Sequence, residues 1–320
     1  MSTIATGGES GVHLTPPPRS RPSLTASSAR TGEKIIRVLL AGAAGVSVIT
    51  TFGIVASLLI PALGFFREVN PIDFLTGTRW APQFTPASFG VLPLITATLW
   101  TTAIALAVAV PFGLGAAIFL SEYAPTQLRK VLKPMLEILA GIPTVVYGFF
   151  ALQVVQTDFL RGLLNLPTGA FSVLAAGLVM GVMIIPTIAS LSEDALSAVP
   201  LGMRQGSAAL GANRMQTTLK VVFPAALSGI VAAVVLGISR AVGETMIVAL
   251  AAGQQARVVA GPLEAGQTMT GFIASAALGD SRVGSLEYDT LFAVGLLLFI
   301  LTLAMNIISI RLVRRFREAY

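Results

Sequence analysis

The sequence predicts an all-α integral membrane protein with six transmembrane helices. Composition is the first reason: of 320 residues, 54% are hydrophobic and only 11% are charged, with a mean hydropathy of +0.82. A soluble domain carries about 25% charged residues, so this chain lacks the polar shell of a water-facing globule. The second reason is the recurrence of apolar runs near the ~20 helical residues that cross a ~30 Å hydrocarbon layer. The third is that Lys and Arg collect in alternate loops, as they do beside membrane spans.

Residues 1–33 are rich in Ser, Thr, Pro and Gly, with three prolines at 16–18 and no apolar run, and read as a disordered cytoplasmic tail. His13, the lone histidine, lies there as a bystander. The six-span permease domain follows over residues 34–320. Its first apolar run, 35–60, exceeds the ~7–15 residues of a signal-peptide core and lacks a convincing cleavage site, so it stays as a span. Further spans fall at 91–120, 134–153, 171–191, 226–252 and 290–311.

The N-terminal side, the second loop (Arg129, Lys130, Lys133), the fourth loop (Arg204, Arg214, Lys220) and the C-terminus together hold 15 of the 21 cations. The other loops hold five: Arg67, Arg79, Arg161, Arg257 and Arg282. Both termini are therefore expected in the cytoplasm. This placement explains the net charge of +6 through the membrane, with lipid around the apolar faces and no need to invoke nucleic acid.

The outer loops, 61–90 and 253–289, are long, and GQTMTGFIASAALGD in the second predicts a short helix on or partly in the membrane. The inner loop at 192–225 is no plain polar connector. It reads as helix, break at Pro200, short helix, break at Gly211, then a further helix with Pro224 at the next membrane boundary. Gly206, Ser207, Ala208 and Ala209 leave a smooth surface that another protein can approach closely, which predicts a docking helix.

Here the chain resembles a family, the membrane subunits of ATP-binding-cassette importers. Their cytoplasmic signature is EAA, three residues, Gly, nine residues, Ile, one residue, Leu-Pro. The register here is Gln205, Gly206, Ser207, with Ala208, Ala209 and Leu210 between, then Gly211, Val221, Phe223 and Pro224. Spacing, Gly211 and Pro224 agree; the leading Glu, both alanines and the aliphatic pair do not. WTTAIALAVAVPFGLGAAIFLSEYAP at 100–125, LKPMLEILAGIPTVVYGFF at 132–150, FLTGTRWAPQ at 74–83 and SRAVGETMIV at 239–248 narrow the likeness to the PstC-type permeases of phosphate importers, from about residue 34 onward.

The resemblance implies the type I importer permease fold, a PstA-like sister permease, two PstB-like ATPase subunits and a PstS-like phosphate-binding protein outside. It makes Gln205 to Gly211 the ATPase-coupling segment. Independently, the chain has no G-x-x-x-x-G-K-[ST] loop to cradle ATP phosphates, so ATP and Mg are expected on the partner ATPase and no cofactor on this chain.

Arg240 belongs to no loop. Counted from Ser228 it lies about 12 residues, or ~18 Å, into the fifth span. Insertion scales place an Arg at such depth at about 2.5–3.5 kcal/mol unfavourable, so it is expected to face the protein interior or a wet cavity and to have a partner. Continuous helix puts Glu244 on the same face, one turn on. Two readings stand at this point: a buried structural ion pair, or a guanidinium that faces the passage and meets phosphate, held by Glu244 when the site is empty. The resemblance favours the second.

Glu137, near the inner boundary, either pairs with Lys133 at i−4 or belongs to the passage or its gate. Gly141, Pro143 and Gly148 break the regularity of the third span, as a gate or for close packing. Pro111, Gly113, Gly115 and Pro186 read as kinks and helix-contact sites.

Other classes are less well served. The sequence shows no internal repeat to suggest a self-contained secondary anion carrier. With no Cys, no membrane His and no carboxylate cluster at ligand spacing, it offers neither a metal site nor the nucleophile of a membrane enzyme. Within the importer class, another oxyanion such as sulfate is the alternative substrate.

Overall fold

The computed structural model describes residues 31–279 and 282–315. The expected tail lies outside them, except that Thr31–Glu33 open the first helix. The chain comprises two compact units, residues 1–53 and 54–320. The described part of the first is the leading half of helix α1 (Thr31–Glu68).

The second unit carries the rest. After α1 come α2 (Pro71–Thr76), a minimal hairpin of β1 (Trp80–Ala81) and β2 (Ser88–Phe89), and α3 (Leu92–Ile118). Then follow α4 (Thr126–Gly141), α5 (Thr144–Phe150), α6 (Val173–Ser197), α7 (Leu201–Ala209), α8 (Arg214–Thr217), α9 (Phe223–Ala225), α10 (Leu227–Val242), α11 (Met246–Ala251), α12 (Met269–Ala277) and α13 (Leu286–Arg315). Phe119–Tyr123, Ala151–Leu163 and Thr218–Val222 continue their helices in wider, π-helical turns.

Among the described residues, four helices are long and apolar enough to cross a membrane: α1, α3 with its π turn, α6 and α13. Two bent pairs bring the number to six if each is one span. In the first, α4 and the α5 segment meet at 86°. Pro143 has no N–H to continue the ladder and holds Ile142 in an extended conformation (φ −65°, ψ 131°). The expected third span, 134–153, is thus broken at its middle, and the amphipathic α4 precedes the turn. In the second pair, Arg214–Ala225 and Leu227–Val242 meet at 71°.

Helix α6 is central. It runs parallel to α3, and glycines let the two backbones close up: a Cβ on Gly177 would sit 2.7 Å from Ile104, one on Gly181 2.8 Å from Val108, and one on Gly113 2.9 Å from Ile188. Small residues are what helix pairs in lipid use, since lipid gives no hydrophobic drive for association. Gly115, by contrast, meets nothing within 4 Å. Met180, Met183, Ile184 and Ile188 of α6 fill the core with Ala105 and Ala109 of α3 and Ile247 and Val248 of α11.

At the hairpin end an aromatic cluster replaces glycine packing. Phe65, Phe74, Trp80 and Phe272 lie edge to face, with Trp80 and Phe272 centroids 4.9 Å apart. The cluster fastens α2, the hairpin and α12 to the membrane helices. α12 is the short helix expected in GQTMTGFIASAALGD. Its N-cap is Thr268, and Met269 N donates to Thr98 Oγ1 of α3 at 3.0 Å.

Candidate functional site

The stretch SRAVGETMIV does not form one helix. α10 ends at Val242, and Gly243, Glu244 and Thr245 turn before α11 begins. This corrects the expected continuous span over 226–252 and, with it, the expected pairing of Arg240 with Glu244. Glu244 is buried, and its Oε1 accepts from Met246 N at 3.1 Å and Ile247 N at 3.3 Å. The carboxylate thereby satisfies two of the free N–H groups that open α11. Its backbone carbonyl accepts from Thr270 Oγ1 of α12 at 2.6 Å.

Arg240 sits in the last turn of α10, half-buried. Nη1 makes one long bond to Thr187 Oγ1 of α6 (3.5 Å), and the phenol of Tyr147 on α5 lies within Coulombic reach. No ion pair to Arg240 occurs among the described residues. A guanidinium offers five donors in a planar fork, so this one keeps most of its capacity open. The negative end of the α10 dipole contributes about 0.3–1 kcal/mol in its favour, only part of what burial costs it. The break therefore presents a cation at the end of one helix and a carboxylate at the start of the next.

Gly148 explains how α5 reaches this place. A Cβ there would meet Met246 O at 3.0 Å and Ile247 Cα at 3.2 Å, so the two backbones touch. Close packing is what Gly148 serves, whereas Gly141 has open space around it. Tyr147 donates to Leu139 O across the α4–α5 bend at 2.8 Å.

Glu137 is exposed on α4 and has no ion pair or hydrogen bond among the described residues. The expected partner, Lys133, turns away to Glu193 Oε2 (2.8 Å) and Asp194 Oδ1 (3.0 Å) of α6. Glu137 is not brought to Lys133, and no hydrogen bond or ion pair joins it to Arg240 or Glu244.

Residues 192–225 break into helices at Pro200 and Gly211, where their sequence placed the breaks. Pro200 stands at the N-cap of α7, and Gly211 takes φ +81°, the left-handed region that glycine enters without strain. Asn213 and Gln216 form a reciprocal capping box at α8. None of α7 (Gln205, Gly206, Ser207, Ala208 and Ala209 among it) is buried, and Leu210 beyond it is 91% exposed. Gly206, Ser207, Leu210, Gly211 and Val221 border a shallow cavity of about 460 Å³.

The sequence reading missed Glu122, Glu193, Arg204, Thr187 and Tyr147. Glu193 is 1% exposed and Glu122 9%, each paired with cations. The signal was present: two acids end the fourth predicted span on the side where Arg129 and Lys133 gather. Thr187 and Tyr147 carried none.

Residues 109–318 match the family described as binding-protein-dependent transport system inner membrane component. The probable ABC transporter permease protein YqgH of Bacillus subtilis is 41% identical over 234 residues, covering 73% of this chain and 75% of that protein. The phosphate transport system permease protein PstC 1 of Mycobacterium tuberculosis is 36% identical over 297 residues, covering 80% and 86%. Among solved structures, a chain of the bacterial alginate ABC transporter superposes with a TM-score of 0.62 at 16% identity, covering 91% of this chain and 99% of that one. A chain of the MetNI methionine ABC transporter in an inward-facing conformation gives 0.53 at 22% identity, covering 72% and 95%. At these identities the two structures share the fold alone.

Proposed function

The chain belongs to the family of binding-protein-dependent transport system inner membrane components, and from that premise we propose that it is the permease subunit of an ATP-driven phosphate importer. It is a multi-pass inner membrane protein of an ABC transporter, a complex that includes ATPase and binding-protein partners. The relatives named as phosphate permeases support the substrate. The observation that carries the site is the open guanidinium of Arg240 at the end of α10.

In this reading Arg240 meets a phosphate oxyanion through charge-assisted, bidentate hydrogen bonds. Thr187, whose hydroxyl already faces the guanidinium, stands beside the anion. Glu244 acts one step back: by capping α11 it fixes the break that sets Arg240 at a helix end. The break brings the guanidinium to the anion and not a helix N-terminus, since the amides that open α11 are already taken by Glu244. Glu137, exposed and without a partner among the described residues, faces the passage where a sister permease completes it. Phosphate crosses without covalent change as the passage opens to each side in turn.

The partners follow the same reading: a PstA-like sister permease, two PstB-like ATPases holding ATP and Mg, and a PstS-like binding protein. Both termini and α7 lie on the cytoplasmic side, with Gln205 to Gly211 docked on an ATPase. Leu210 supports this, since a leucine left 91% exposed beside a shallow cavity is an apolar anchor awaiting a partner. ATP-dependent uptake of labelled phosphate by vesicles holding the four-component complex tests the proposal. Uptake that resists excess sulfate supports it, and uptake of sulfate in preference to phosphate moves the assignment to another oxyanion.

A further inference from the structure

The way α7 is attached to the membrane helices is unusual for a segment that must transmit force. No residue of α7 is buried; only Met203 packs, half-buried, against the small apolar cluster around Leu196 and Val222. Its firm attachments are polar. Arg204 Nη2 bridges Glu122 Oε1 beyond α3 at 3.0 Å and Leu196 O of α6 at 2.7 Å. Ser207 Oγ lies 2.9 Å from Thr217 Oγ1 of α8, and Arg214 of α8 stacks 5.1 Å over the Tyr123 ring.

One turn before Leu196 lies Glu193. Both its oxygens are engaged, by Arg129 and Lys133 of α4 and by Ser197 Oγ at 2.9 Å. Arg129 also donates to Ser197 Oγ at 2.9 Å. A carboxylate 1% exposed cannot exchange these partners for water without unpairing buried charge, so the ends of α4 and α6 are pinned in one register. From α4 the line continues through the bend at Pro143 to Tyr147 and Gly148 of α5, and Gly148 rests on the backbone of α11. α11 is the helix that Glu244 caps.

We propose that Glu122–Arg204 and the Glu193 node (Arg129, Lys133) are positioning groups that carry displacement of the docking helix α7 into α3, α4 and α6, and so to the break beside Arg240. The inference rests on the reading of Gln205 to Gly211 as the ATPase-docking segment and adds what that segment pulls on. Apolar contacts slide over one another with little loss, whereas a buried carboxylate such as Glu193 or Glu122 holds its partly exposed cations in one geometry, because losing them leaves its own charge unpaired. Helix α7, poor in apolar contact, is tied to the ends of α3 and α6 through Arg204, and the Glu193 node passes that hold from α6 to α4.

The test uses the complete reconstituted complex and reads phosphate imported per ATP hydrolysed, with ATPase co-elution measured alongside. The variants are Arg204→Gln, Glu193→Gln, Glu122→Gln and the exchange of Glu122→Arg with Arg204→Glu. In Arg204→Gln and Glu193→Gln the ATPase is expected to co-elute as in the parent and to hydrolyse ATP, while phosphate per ATP falls roughly 2- to 30-fold, the span of coupling changes within packed networks. The exchanged pair is expected to recover much of it, as a direct partnership requires. An unchanged ratio in Arg204→Gln overturns the proposal. So does loss of assembly in that variant, since the pair would then only build the loop. Failure of the underlying docking reading looks different: the ATPase would co-elute as well with Leu210→Asp as with the parent.

Discussion

Glu244 follows Arg240 by four residues and yet does not pair with it: its carboxylate closes the start of α11, accepting from Met246 N at 3.1 Å and Ile247 N at 3.3 Å. The two charges therefore do different work. One holds a helix break in place, and the other is left with its donors largely unclaimed at the end of the preceding helix.

If Glu244 is a cap, its removal acts on stability. Glu244→Ala is expected to lower the stability of the assembled complex by about 1 kcal/mol, the usual worth of a side-chain cap, while Glu244→Gln, which keeps an acceptor, loses less. Thermal unfolding of the purified complexes checks this. Equal loss in both variants would point to the charge rather than the hydrogen bonds.

The fold in outline was legible because hydrophobic run length survives any local detail. The apolar runs at 91–120 and 171–191 became α3 and α6, and Pro200 and Gly211 broke the 192–225 segment where proline and glycine geometry required. The break after Val242 was not legible. Gly243 has a helical φ of −87°, so no proline or left-handed glycine marks it. What ends the helix is a competing hydrogen bond, Glu244 to the next turn, and such competition between side chain and backbone depends on tertiary placement. Likewise Lys133 has an acid at i+4 in Glu137 but finds a better-buried one on α6, and helical spacing alone cannot weigh the two.

The α3–α6 contact has no room for a larger side chain at Gly181, where an added Cβ would lie 2.8 Å from Val108 and 2.9 Å from Ala105 O. Gly181→Val is expected to cost about 1–3 kcal/mol through overpacking against backbone that cannot yield. Gly42→Ala, at a position with nothing within 4 Å, should be neutral or slightly stabilising. Side-by-side thermal unfolding separates the two.

Trp80 is 5% exposed, and its Nε1 has no hydrogen-bond partner among the described residues. Its value is then the ring and not the indole N–H. Trp80→Phe is expected to be tolerated within about 1.5 kcal/mol, whereas Trp80→Ala should lose about 3–5 kcal/mol as the aromatic cluster opens. Limited proteolysis of the segment 71–90 gives a local readout. Comparable damage from both substitutions would mean that the N–H has a partner in the assembly.

Under the proposed docking of Gln205 to Gly211 on an ATPase, Leu210→Asp, which places a charge on an exposed leucine, should abolish co-purification of the ATPase while leaving this chain inserted in the membrane. Gly211→Ala, at φ +81°, should weaken docking less, through backbone strain of about 1–2 kcal/mol. Pull-down from solubilised membranes measures both.

The central claim is that the half-buried Arg240 is the anion contact of a phosphate passage. It is tested most directly by ATP-driven uptake of labelled phosphate into vesicles with Arg240→Gln, in complexes shown by co-elution to hold all their subunits. The account predicts that uptake is lost while the assembled ATPase still hydrolyses ATP. Uptake equal to the parent's in such complexes would contradict it and leave Arg240 a structural residue at the end of α10.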